Sequence, residues 1–89
     1  MKTREVEIDG QKYQVQAWTV RDRKNFLKEL DHIRQLTDPE EQYKEVIGFV
    51  AGQIAKTPAE IEDMDAVIAD RLFDTIIRSN TPPLSPQKP

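Results

Sequence analysis

Few side chains in this sequence could carry out chemistry: one histidine, His32, two serines, Ser79 and Ser85, and a close group of acids, Glu60, Glu62, Asp63 and Asp65. A general base works only within hydrogen-bond reach of the proton it takes, and a serine nucleophile only beside such a base. His32 stands between Asp31 and Ile33 at the edge of an expected helix, the setting of a partly solvated surface residue. Both serines fall in or beside a proline-rich end, where nothing holds a base against them. The acids lack the glycine and the ligand spacing of a calcium-binding EF-hand loop. They suit helix N-termini instead, where carboxylates meet the positive end of the helix dipole. No glycine loop of the phosphate-cradling kind occurs. The expectation is a protein that is not an enzyme and carries neither cofactor nor metal.

Arg21, Arg23, Lys24 and Lys28 form the one basic cluster, with the aromatic Trp18 and Phe26 near it, a combination that can contact nucleic acid. Asp22, Glu29 and Asp31 are interleaved with it, and the chain carries a net charge of -3. Basic fields drive non-specific binding to nucleic acid and anionic membranes, so neither is expected as a partner. The cluster reads as a solvated helix face with Arg23 stacked on Trp18. Charge is unevenly spread: residues 1–37 hold eight Lys/Arg against six Asp/Glu, and residues 38–89 five against ten. That layout mildly favours head-to-tail association.

The elements that must position these residues follow from local signals. The chain has 89 residues and no cysteine, so one small domain without disulfides or thiolate sites is expected, marginally stable unless a partner adds to it. The opening MKTREVEIDG has no apolar core and is not read as a signal peptide. No run approaches the ~20 apolar residues of a membrane span.

Asp9-Gly10 lies between two alternating runs, which predicts a hairpin over residues 4–17 with a two-residue type I′ turn. Val6, Ile8, Tyr13 and Val15 would share one face, and Glu7 would pair with Lys12 on the other. Thr19 and Asp22 form a capping box, opening a helix over about 20–35 with Phe26, Leu27, Leu30, Ile33 and Leu36 at helical spacing. Asp38-Pro39 opens a second helix over 39–55. Its Tyr43, Val46, Ile47, Val50 and Ile54 form an apolar stripe, while Gly48, Gly52 and Ala55 line the other side with Phe49 at the border. Each glycine costs about 1 kcal/mol in a helix interior relative to alanine, so close backbone approach is expected there. An intramolecular helix contact is the first expectation, and a self-association face the alternative.

Thr57-Pro58-Ala59-Glu60 predicts a short helical turn over 58–63, followed by a helix over 65–78. In that helix Ile68, Leu72 and Ile76 form one row and Ala69, Phe73 and Ile77 a second, a stripe broader than a surface helix needs. Residues 1–79 are thus expected as a single domain, α+β but mainly α: a hairpin, three main helices and one short helical turn. Residues 80–89, rich in proline and including a P-x-x-P spacing at Pro83 to Pro86, are expected as a flexible tail.

These features together resemble the tail assembly chaperones of long-tailed bacteriophages. The similarity spans residues 4 to 78: an alternating segment with a glycine turn (Val6, Ile8, Gly10, Tyr13, Val15), then WTVRDR opening a helix, then TPAEIEDMDAVIADRLFDTI. In the last, Thr57, Pro58, Glu60, Ile61 and Asp65 match the family pattern, and Met64 stands where a leucine is usual. The resemblance implies a non-catalytic protein of the host cytoplasm that holds the tape measure protein until tail tube subunits polymerise around it, and that is absent from the finished virion. It also implies a proline-rich link into a longer frameshifted product in many members. Such a protein needs apolar helical surface to offer to a partner helix, and Phe49, Gly48, Gly52, Phe73 and Ile77 are the candidate partner-binding residues, with self-association expected. The alternatives are a small structural tail or baseplate protein, and a dimeric helical regulator touching nucleic acid through Arg21, Arg23, Lys24 and Lys28.

Overall fold

Asp9 and Gly10 both take positive φ, 51° and 79°, as a type I′ turn requires. In the computed structural model, which describes residues 2–81, this turn joins strand β1 (Thr3–Ile8) to strand β2 (Gln11–Gln16) in an antiparallel pair. The expected register is found, with Val6 opposite Tyr13, Glu7 opposite Lys12 and Ile8 opposite Gln11. Ile8 and Val15 are buried, and Val6 and Tyr13 pack beside them. On the outer face Lys12 reaches diagonally to Glu5 at 3.6 Å rather than to Glu7.

Four helices follow: α1 (Val20–Gln35), α2 (Pro39–Gln53), α3 (Pro58–Glu62) and α4 (Ala66–Asn80). Their starts are where the caps place them. Thr19 and Asp22 close a capping box on α1, Asp38 caps α2, Thr57 and Glu60 box α3, and the Asp65 carboxylate accepts from the Val67 and Ile68 N–H groups of α4. The Thr19 backbone N–H donates to the Asp22 carboxylate at 2.9 Å. That bond is the largest of the effects holding this carboxyl below its usual range; desolvation opposes it, and Gln16 and Arg21 add to it.

Three helix ends depart from expectation: α3 stops at Glu62, with Asp63, its expected last residue, as C-cap, and α2 and α4 differ by two residues each. Helix α2 stops at Gln53, short of 55, because Ala55 turns left-handed at φ 55°. The Lys56 N–H then closes on the Ala51 carbonyl at 2.9 Å, the long bond of a Schellman cap that usually has glycine at this position. Helix α4 runs two residues past 78, so Ser79 and Asn80 belong to it and the tail does not begin at 80. The rest of the expected tail, residues 82–89, lies outside the described residues.

The core is assembled from the hairpin (Ile8, Val15), α2 (Val50, Ala51, Ile54), α3 (Ile61) and α4 (Leu72, Ile76). Helix α1 contributes no buried residue. Leu27, expected on its inner face, is 59% exposed, while Phe26, Leu30 and Ile33 are half-buried. Among the described residues no helix is long and apolar enough to cross a membrane.

Candidate functional site

The apolar stripe of α2 does not close over. Val46, Ile47 and Val50 form one wall of an open groove of about 1090 Å³, and Ala69 and Phe73 of α4 form another. Ile61 and Met64 line it from the α3 side, and Ile33 from the end of α1. Tyr43 also lines it and is 50% exposed. Geometry follows from the caps: Asp38 and Pro39 set where α2 begins, and the tight α3 turn brings Ile61 and Met64 beside Val46 to Val50. The α1 end is held by Gln42 of α2, whose side-chain amide donates to the Leu36 carbonyl at 2.6 Å and the Ile33 carbonyl at 3.3 Å.

Four charged residues line the groove. Glu40, Glu62 and Asp70 face it, against one cation, Lys44. Among the described residues none of these four has an ion-pair partner. None of the lining residues is His, Ser, Thr or Cys. The arrangement is suited to holding apolar surface against an acidic border.

Of the residues singled out in the sequence, Phe49 and Phe73 are brought together, edge to face at 6.0 Å between ring centroids. Phe49 is the hub of an aromatic ladder that also takes in Phe26 at 5.4 Å and Trp18 at 6.1 Å. Such pairs contribute roughly 0.5–1.5 kcal/mol each beyond their burial, and they seat α1 on α2. Ile77 is half-buried one turn beyond Phe73. Gly48 and Gly52 lie apart from all of these, exposed, with nothing within 4 Å of the position a Cβ would occupy. Among the described residues the expected close approach within the molecule is therefore absent. Helix α1 meets α2 through Phe26 and Phe49, and rings of that size keep the two backbones apart.

The basic cluster is also reshaped. Arg23 does not stack on Trp18 as expected; its guanidinium donates to the Asn80 carbonyl at 2.8 Å. Asn80, assigned to the tail in the sequence, is buried and fully engaged. Its side-chain carbonyl accepts from the Trp18 N–H at 2.8 Å, and its amide donates to the Gln16 carbonyl at 3.0 Å and the Ile76 carbonyl at 2.9 Å. Trp18 Nε1 donates to Gln53 at 2.6 Å. No local pattern signals these contacts, because the partners of Asn80 in β2 and α1 are about sixty residues away in the chain. Compared with family models, with curated proteins and with solved structures, the chain matches none.

Proposed function

We propose that this protein is a non-catalytic holding factor for helical protein, and specifically a tail assembly chaperone of a long-tailed bacteriophage that binds the tape measure protein during tail assembly. One observation carries the reading. A chain of 89 residues leaves an apolar groove open and keeps one whole amphipathic helix, α1, without a buried residue. Large uncovered apolar area on a small protein marks a surface for a partner. The resemblance in sequence supplies the identity of that partner, with the tail tube protein as a second candidate. On this reading the protein acts in the host cytoplasm and leaves before the virion is complete.

The client surface is assigned to Phe73 and Ile77 with Phe49 behind them, continuous with the groove. Gly48 and Gly52, on an exposed side of α2, are assigned to contact between copies. The regulator alternative loses support from Arg23, whose guanidinium is engaged within the fold.

Co-expression with the tape measure protein tests the proposal. Capture of that protein should be lost in Phe73→Asp and in Tyr43→Asp, the second being an exposed position whose substitution leaves the fold intact by circular dichroism. Undiminished capture by a folded Tyr43→Asp protein would overturn the assigned surface. Finding the chain in purified particles by mass spectrometry would replace the chaperone reading with that of a structural tail component.

A further inference from the structure

The groove has a definite electrostatic character that the apolar reading alone does not use. Glu40 at the start of α2, Glu62 at the end of α3 and Asp70 in α4 come from separate elements, yet all three line the same groove. With Lys44 as the single opposing charge among the described residues that line it, the border is net negative. None of the three has an ion-pair partner among the described residues. The groove's volume, about 1090 Å³, is comparable to two turns or so of a helix ~10–12 Å across.

We infer that the groove takes an amphipathic helix whose apolar stripe is bordered by lysine or arginine, and that it discriminates against the same helix bordered by acids. This rests on the helix-holding function proposed above and adds the charge chemistry of the client segment. The apolar floor, from Val46 and Ile47 to Met64 and Ala69, supplies affinity without regard to sequence, as helix-in-groove recognition does. Carboxylates from three elements supply the discrimination, because like charge brought beside them is repelled and opposite charge attracted. Such exposed pairs are individually weak and screened by salt, so selectivity should fall as ionic strength rises.

Two designed helical peptides of roughly five turns form the probe, identical in their leucine stripe and differing only in lysine or glutamate flanks. Each is fluorescein-labelled and titrated with the full chain at low and at high salt. The lysine-flanked peptide should bind about tenfold more tightly at low salt, with the ratio collapsing at high salt. The Glu40→Lys, Glu62→Lys, Asp70→Lys triple variant, all at exposed positions, should invert the preference. Amide shifts on binding should centre on Tyr43, Val46 and Met64.

Equal binding of the two peptides, no binding of either, or shifts centred away from the groove would overturn the inference. So would a sedimentation result in which a second copy already covers the groove and excludes both peptides. Failure of the function itself is read separately: a groove that selects the lysine-flanked peptide in a protein that never captures the tape measure protein keeps the inference and removes the assigned client.

Discussion

Helices α1 and α4 are nearly equal in length, 16 and 15 residues, each is amphipathic, and each opens on a side-chain cap. Their positions in the molecule are opposite. Helix α4 buries Leu72, Ile76 and Asn80; α1 buries nothing and is held by half-exposed rings, by its own Arg23 reaching out to the Asn80 carbonyl, and by Gln42 reaching in from α2. The contrast separates two properties. Caps and periodicity decide that a segment becomes a helix, whereas burial decides what it contributes to stability. A helix that is locally well specified but poorly covered can loosen at little cost to the rest of the fold.

The largest expected effect tests this division directly. Leu72 is fully buried, and Leu72→Ala should lose about 2–5 kcal/mol in urea denaturation. The matched change in the other helix, Leu27→Ala, should stay within about 0.5 kcal/mol. A large loss at Leu27 would mean that α1 belongs to the core after all, and the comparison would fail.

The next effect lies where the two helices are joined. Asn80→Ala leaves the Trp18 N–H without its acceptor and the Gln16 carbonyl without its donor. An orphaned buried polar group costs about 1–3 kcal/mol, so a loss in that range is expected by denaturation. Hydrogen exchange should speed up at the start of α1 and the end of α4 together. Confinement of the change to α4 would show that the Arg23 and Trp18 contacts do not tether α1.

These residues also mark the boundary of what could be read in advance. The hairpin register was legible because Asp9-Gly10 admits few turn geometries, and the helix starts because each cap lies within three residues of the N–H it satisfies. The end of α4 was not, since apart from Ile76 the groups that engage Asn80, on Gln16, Trp18 and Arg23, are distant in the chain. Nor was the end of α2, where an alanine takes the left-handed position that glycine would have advertised. For the site, the stripe from Tyr43 to Val50 was visible as apolar, but whether it would be covered depends on where α1 and α3 come to rest. The acids at 40, 62 and 70 become neighbours only in the folded chain. Gly48 and Gly52 misled about intramolecular packing for the same reason: their spacing says that backbone can be approached, not that anything approaches it.

Helix α2 lies between the two compared helices, and a smaller effect of opposite sign is expected in it. Gly48 is helical and has open space at its Cβ position, so Gly48→Ala should stabilise by up to about 1 kcal/mol. Ala55 holds φ 55°, and Ala55→Gly should stabilise by about 1 kcal/mol through relief of left-handed strain. Thermal denaturation reads both. The two changes differ in one further respect: if copies meet through the glycine strip, Gly48→Ala weakens self-association in sedimentation while raising the melting temperature, and Ala55→Gly does not.

The smallest effect concerns the cap that starts α1, and its sign is set by the direction of one pKa. The Asp22 carboxylate is held below its ordinary value of 3.8, chiefly by the Thr19 backbone N–H. A group whose pKa is lower in the folded than in the unfolded protein favours folding above the unfolded value, and that contribution disappears as pH falls through the folded one. Asp22→Ala should therefore be less stable than the parent at neutral pH, and the gap should narrow as pH drops below about 4. Because α1 is thinly covered, the loss should show first as faster amide exchange within α1 and only slightly in the global denaturation midpoint. A gap that stayed constant down to strongly acid pH would mean that the cap stabilises α1 through packing rather than through its charge, and a full-sized drop in global stability would place α1 alongside α4 as part of the cooperative core.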